Sequence, residues 1–315
     1  MGYNISFFIC EKEKIIYTCI NATGRLETAD LSVELLITED EKRAEELAKE
    51  LCHLNERRQE MTKDSVDMVI EQIEKNGLEK DKVLIIYNSN IHESIAGIVA
   101  GRIREKYNKP TIIMTGGKEM PKGSARSIEE YNMFEELSKC KFLLSKFGGH
   151  PMAAGLSVEE SNLPKLREML INNCTLKDEE FIPKIKIDAR VALKDLTEEL
   201  IKEVNLLEPF GKANPSPLFA EKNIDVCRIW TMGKDNNILK LRCKTFNGFK
   251  TIDAITFDKF EEFKKQFSEK YGKNKLLEIL DSGYCNFKID LIYQPNINEF
   301  NGKRSIQVII KSLRL

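Results

Sequence analysis

Apolar and polar positions divide the chain into a mixed front part and a strand-rich tail. Two short apolar runs, residues 5–10 and 15–20, flank the charged tetrad 11–14, a pattern that predicts a hairpin or two frayed edge strands. From Thr28 the period becomes helical. Thr38 with Glu41 reads as a capping box that opens a second helix, along which Leu47, Leu51 and Leu54 share a face. Little Gly or Pro interrupts this signal before Asn76-Gly77, so residues 39–76 are expected to form one long or once-broken helix of a length that bridges domains.

The period then changes. An apolar run at 83–87, a helix at 95–107 and a second run at 111–114, just after Pro110, predict a strand-helix-strand unit. A loop-strand segment at 122–127, a helix near 133–140, a glycine turn at Gly148-Gly149 and a helix near 163–173 complete an α/β domain that ends near Thr175. Beyond it, residues 184–193 alternate like a strand, 197–204 read as a capped helix and 208–217 as a Pro/Gly/Asn-rich turn region. Strands are expected at 224–230, 238–243, 251–257, 284–293 and 305–313, with a helical insert near 260–267. That pattern matches a small Greek-key barrel of OB type, and an immunoglobulin-like sandwich is the alternative.

Composition adds limits. A chain of 315 residues, 42 % hydrophobic, is expected to bury two cores. Its net charge of -1 excludes a wholly basic coat, so any nucleic-acid contact must be local. Charge is uneven: residues 25–82 hold 10 Lys/Arg against 17 Asp/Glu, a net of -7, whereas residues 218–315 hold 18 against 12, a net of +6. The basic tail fits an electrostatic footprint for phosphates and equally a soluble surface. The eight cysteines are scattered without a C-x-x-C pair or a neighbouring histidine, and read as reduced, mostly buried thiols. Without an apolar stretch of about 18 residues or a leader-like start, the expectation is a cytoplasmic protein with no membrane partner.

Candidate chemistry lies in three short segments. Lys122-Gly-Ser-Ala-Arg-Ser127 offers two hydroxyls and a guanidinium. In a strand Ser124 and Arg126 would point to one face and could grip a phosphate together, although a solvated edge strand explains the segment as well. Phe147-Gly-Gly-His-Pro-Met-Ala-Ala-Gly155 places Gly148, Gly149 and His150 where backbone amides could form an anion nest, or where a tight turn is packed under small residues. Near the start, Asn21, Thr23 and Arg25 stand ahead of a helix, where free amides and an arginine could meet an anion or a cap could form. The context of His92 favours a helix cap.

Taken in order, Asn21-Ala-Thr-Gly-Arg25, His92 with Gly97-Ile-Val-Ala-Gly-Arg102, Lys109-Pro-Thr, Gly123-Ser-Ala-Arg-Ser127, Phe147 to Gly155, and Leu207-Glu-Pro-Phe-Gly211 with Asn214-Pro resemble the RecJ family of the DHH superfamily. The resemblance runs from about residue 20 to the end and corresponds to the family's carboxy-terminal half. It implies an α/β DHH-associated domain over 78–175 followed by an all-β OB-type barrel over 183–315, with a remnant of the inter-domain region and a long helical connector over 1–77. The implied activity is 5′-to-3′ exonuclease action on single-stranded DNA carrying a 5′ phosphate. Ser124, Arg126, Ser127, Gly148, Gly149 and His150, with Arg25 and Asn21, would lie by the substrate phosphates. In the OB region Arg228, Trp230, Lys240, Arg242, Phe246 and Lys250 are the candidate single-strand contacts, Trp230 being equally readable as core.

The departures matter as much. The family binds two divalent metals, Mn2+ or Mg2+, through an amino-terminal domain with an Asp-His-His motif. This sequence has no such motif and only three histidines, His53, His92 and His150. Tyr17-Thr18-Cys19 stands where a Gly-Pro pair is usual, and Ser94 where a glycine is usual. The expectation is therefore that this chain itself binds no metal and is inactive alone, as suits a split or truncated gene, with a separate DHH-domain chain supplying the metals. A single-strand-binding module without chemistry is the competing reading. A small-nucleotide phosphodiesterase fits the long OB-like tail less well.

Overall fold

The computed structural model describes residues 13–315 apart from residues 27, 118, 212, 234–236, 246–249 and 301. It divides into two compact units, Met1–Pro183 and Lys184–Leu315. The first apolar run of the sequence lies outside the described residues. The second does not form a strand: it belongs to helix α1, Glu13–Leu26. The reason is visible further along this helix, where Cys19, Ala22 and Thr23 are buried at i, i+3 and i+4, one helical face.

Helix α2, Asp30–Ile37, ends at Thr38, and the long helix α3, Glu41–Lys75, follows. Thr38 is therefore not the N-cap of α3. Asp40 is: its carboxylate accepts the amides of Lys42 and Arg43, because it is the residue immediately before the first helical position. Helix α3 is unbroken over 35 residues, about 52 Å at 1.5 Å per residue. Leu47, Leu51 and Leu54 form the apolar seam of its first half, and Val69 and Ile73 belong to the core beneath its second half. Gly77 stops it in the left-handed region at φ 64°.

Strands β1 (Leu84–Tyr87), β2 (Thr111–Thr115), β3 (Lys122–Arg126), β4 (Leu144–His150) and β5 (Ala153–Val158) form one sheet in the order β1-β2-β3-β5-β4. Only β1 and β2 are parallel, joined by helix α4, Glu93–Tyr107; the rest pair antiparallel. One sheet face carries Ile85, Ile112, Met114, Ala125 and Leu156 into a core shared with helices α5 (Met133–Lys139) and α6 (Leu163–Asn173). The other face sends Leu84, Ile86 and Ile113 under α4, which is backed by α3. Gly148 and Gly149 lie in strand β4 and not in a turn; the chain reverses at Pro151-Met152.

In the second unit β7 (Phe219–Met232), β8 (Ile238–Lys244), β9 (Thr251–Thr256), β10 (Tyr284–Phe300) and β11 (Lys303–Arg314) close a ring, β7-β8-β9-β11-β10-β7. The parallel pair β9–β11 and the closing pair β10–β7 exclude the sandwich and make a five-stranded OB-type barrel. Register shifts in β7 and β10 supply the bends that closure needs. The expected strand at 184–193 shrinks to β6, Ala189–Arg190, beside β7, and Ile185 and Ile187 are exposed. Thr197 caps helix α7, Glu198–Asn205.

Two helices, not one, fill the span between β9 and β10: α8 (Phe260–Tyr271) and α9 (Lys273–Ser282). Their Phe263, Phe267, Leu276 and Ile279 enter the barrel core, and the Phe267 ring meets that of Phe287 edge-on at 5.2 Å. Phe267→Ala is expected to destabilise this unit by about 3–5 kcal/mol, since a buried ring leaves a cavity that rigid strands cannot fill. Urea unfolding of residues 184–315 checks it, and a loss below about 1 kcal/mol would show that α8 is not part of the barrel's closure.

Candidate nucleic-acid interface

In the first unit the open part of the sheet defines the site. Helix α4 packs across β2 and β3, and with α3 covers β1, while β5 and β4 extend beyond it on the same face. Cross-strand partners in a pleated sheet share a face. The registers therefore place three rows there: Arg126, Ala153 and His150; Ser124, Gly155 and Gly148; Lys122, Ser157 and Lys146. A groove of about 400 Å³ runs along the second and third of these rows, from Ser124 and Gly155 to Lys122, Ser157 and Lys146, bounded by Glu93 and Ala96 of α4.

Ser124 and Arg126 do share one face, and both lie against α4. A Cβ placed on Gly97 would meet Arg126 Nη2 at 2.7 Å and Ser124 Oγ at 3.5 Å, so the glycine makes the seat for the guanidinium. Arg25 reaches the same helix one turn earlier, donating from Nη1 to the Ser94 carbonyl at 2.9 Å. Arg126 donates to the carbonyl of Ala125 and has no carboxylate partner among the described residues. Burial first, then the charges of Arg25 and Arg104, push its guanidinium below its ordinary value. Arg58 on α3, held by Asn55 Oδ1 at 2.9 Å, is depressed likewise by burial and by Arg25 and Arg102. Glu105 pairs with Arg102 and Arg104, but Arg25, Arg58 and Arg126 have no carboxylate partner among the described residues, and like charges so placed favour a multivalent anion among them.

Other candidates move. Asn21 and Arg25 lie inside α1 and not ahead of a helix, so no free amides accompany them, and Thr23 is buried with its hydroxyl bonded to Ile20 O and Ser32 Oγ. Asn21 is exposed one turn before Arg25. Ser127 is removed from the candidate set: it is 1 % exposed and donates to the Tyr131 carbonyl at 2.6 Å. Gly148 and Gly149 are in extended strand, so they form no nest, which needs alternating helical conformations. Gly149, at φ 152°, is needed for packing, as its Cβ would meet Ala153 O at 2.3 Å. His150 is exposed, its Nδ1 accepting from the Met152 amide at 3.3 Å. His92 caps α4 by accepting from the Ser94 amide.

No cluster of three or more His, Cys, Asp or Glu that could hold a metal occurs among the described residues. The described residues do not fit a two-metal centre.

In the barrel a second basic face runs across four strands. Tyr284, Arg228, Arg242 and Asp253 are consecutive cross-strand partners, and Trp230 pairs with Lys240 in the next row. Trp230 is half-buried and outside the core, with Arg242 5.0 Å from its ring. Arg228 lies 4.3 Å over the Tyr284 ring and hydrogen-bonds a Tyr284 hydroxyl. Lys240 and Arg242 are not free cations: Asp253 binds Lys240 Nζ at 2.8 Å and forks Arg242 at 2.8 and 3.2 Å. Burial alone would raise the Asp253 carboxyl; the bonds from Arg242 and Lys240 outweigh it and hold it below the usual range. Lys250 is exposed, its carbonyl bonded by Thr245, and Phe246 lies outside the described residues. The Leu207-Glu-Pro-Phe-Gly211 turn is held by Asn214, which donates to Leu207 O and Pro209 O.

Sequence reasoning missed Arg58, Lys146, Asp253 and Tyr284. None of them lies in a recognisable motif, and the register of paired strands or the packing of helices gives each its neighbours.

Comparison with known proteins agrees with both units. The profile of the DHHA1 domain matches residues 80–175 and that of the RecJ OB domain residues 187–312. The single-stranded-DNA-specific exonuclease RecJ of Bacillus subtilis is 35 % identical over 296 residues, covering 93 % of this chain and 35 % of the relative. That of Escherichia coli is 28 % identical over 304 residues, 93 % and 49 % respectively. The chain thus spans about a third to a half of these relatives. RecJ of Thermus thermophilus in complex with Mn2+ shares the fold, with TM-score 0.71 and 23 % identity over 95 % of this chain and 40 % of that one. No helix among the described residues is long and apolar enough to cross a membrane.

The arginine cluster has a consequence measurable without any nucleic acid. Inorganic pyrophosphate at about a hundred times its Kd is expected to stabilise the protein by about 2.7 kcal/mol. Arg126→Ala should lose most of that gain. Scanning calorimetry reads both, and an equal gain in the variant would place the anion elsewhere.

Proposed function

We propose that this chain, which matches the DHHA1 and RecJ OB domains of the RecJ family, grips single-stranded DNA for 5′-to-3′ exonucleolytic cleavage. Arg126, Ser124 and Arg25 hold the 5′ phosphate, His150 lies by the strand's phosphates, and the barrel face of Arg228, Trp230, Lys240, Arg242 and Lys250 binds the strand beyond. Domain limits of 78–175 and 183–315 belong to the same reading, with residues 1–77 as inter-domain region and connector.

The observation that carries this reading is the half-buried Arg126, without an acidic partner among the described residues, seated on Gly97 beside Ser124 and Arg25. A terminal phosphate carries more charge than a diester and accepts a forked guanidinium, so it satisfies such a cluster better than any interior phosphate. Ser124 adds a neutral donor. Hydrolysis itself belongs to a DHH domain with Mn2+ or Mg2+, carried in a further part of the protein or on a separate chain; the chain described here binds without cutting.

Two measurements test the proposal. Arg126→Ala is expected to weaken binding of 5′-phosphorylated single-stranded DNA about tenfold more than 5′-hydroxyl DNA. Ser124→Ala should show a smaller difference, and no nucleotides should be released when Mn2+ is added to this chain. Equal losses for both ligands would assign Arg126 to the fold, and robust cleavage would overturn the division of labour.

The barrel unit should bind labelled oligonucleotides without strong sequence preference, through stacking on Trp230 and Tyr284 and through phosphate contacts, and should weaken steeply with salt. Asp253→Asn frees two cations and should tighten binding and steepen the salt dependence by up to about two phosphate contacts. Absence of binding at low salt would remove this role from the barrel. Weaker binding in the variant would make Asp253 a residue that positions its cations rather than one that masks them.

A further inference from the structure

The arginine site occupies only one end of the open sheet floor. Two residues along each strand from the row of Ser124, the row Lys122, Ser157 and Lys146 stands at the far end of the groove that begins at Ser124. Lys122 is engaged by Glu93, whose carboxylate it meets at 2.8 and 3.1 Å, so that pair is close to neutral. Lys146 on the edge strand β4 is exposed and has no carboxylate partner among the described residues. The Ser157 side chain shares its row and is half-buried. This end of the groove is therefore net positive, with a hydroxyl donor beside the cation.

The middle row explains how a ligand could pass from one end to the other. At Gly148 a Cβ would meet nothing within 4 Å, and at Gly155 only Gly123 O at 4.0 Å; neither has a positive φ. Nothing in the fold demands glycine at these two positions, unlike Gly123, whose Cβ would meet Met114 Sδ at 2.2 Å. Their missing side chains leave the groove floor flat between Ser124 and Lys146. Rows two residues apart along a strand are roughly 7 Å apart, a distance that one extended nucleotide unit spans between its phosphates.

We propose that Lys146 and Ser157 form a second phosphate subsite, taking the phosphodiester one nucleotide along the strand from the 5′ phosphate held at Ser124 and Arg126. This rests on the DNA-gripping reading above. The floor meets the sugar-phosphate edge, since Phe147 and Leu156 are paired on the opposite face and packed with the core there. The subsite therefore reads strand length and charge and not base identity.

The test compares thymidine 5′-monophosphate with the 5′-phosphorylated thymidine dinucleotide, each titrated calorimetrically against the whole chain. The wild type should bind the dinucleotide about tenfold more tightly, the worth of one charged hydrogen-bonded contact. Lys146→Ala should abolish most of that difference while leaving the mononucleotide unchanged, and Lys146→Arg should restore it. Gly155→Val, which raises a branched side chain from the floor of a site where its Cβ has room, should also remove the dinucleotide's advantage. Equal binding of the two ligands by the wild type, or an unchanged dinucleotide advantage in Lys146→Ala, overturns the subsite. If the mononucleotide also fails to bind and Arg126→Ala changes nothing, the DNA-gripping reading fails with it.

Discussion

One packing constraint governs the first unit: a single helix is too narrow to cover a five-stranded sheet. Helices α3 and α4 seal β1 and β2 on one face, where Leu84, Ile86 and Ile113 are buried, and α4 reaches as far as β3. Strands β5 and β4 extend beyond that cover, and the residues of β3, β5 and β4 on this side are accordingly polar or small. The boundary between covered and bare sheet falls along β3, which is where Ser124 and Arg126 stand. Position at that boundary explains their chemistry. The helix flank removes water from half of Arg126 while the bare sheet leaves its other half open to a ligand.

The two basic regions then differ in kind. In the α/β unit Arg25, Arg58 and Arg126 have no acid partner among the described residues, so the folded state carries repulsion that an anion relieves. In the barrel Asp253 already neutralises Lys240 and Arg242. The first arrangement suits capture of a chain end that must be held in one place. The second suits a surface over which a strand moves, because a contact in which DNA must compete with an internal carboxylate is weak and readily exchanged.

How much of this was legible in the sequence follows the range of the interactions. The shared face of Ser124 and Arg126 needed only the two-residue period of a strand, and the strand-helix-strand around α4 needed only local apolar runs. The five barrel strands were legible in the same way, though their ends were not, since β7 and β10 extend well past their apolar centres. Helix α1 was misread because its sequence around 15–20 is apolar on every side, which hides the face that α3 selects. The glycine pair at 148–149 suggested a turn by composition, but the reversal falls at Pro151-Met152, and β5 holds the glycines in register. Lys146 and Asp253 were invisible for a different reason: what gives each its meaning is the exact cross-strand register, Lys146 opposite Ser157 and Asp253 opposite Arg242, and apolar periodicity places strands without fixing register.

Strand β4 is an edge, with one row of backbone groups unpaired by the sheet. Such edges invite a second chain to add a strand, and proteins discourage this with lysine and with segments too weak to template a partner. Here Lys146 and the Gly148-Gly149 pair sit on that edge. The features that make the strand hospitable to a polyanion thus also make it a poor template for another polypeptide, so colloidal stability and ligand capture draw on the same few residues and would be selected together.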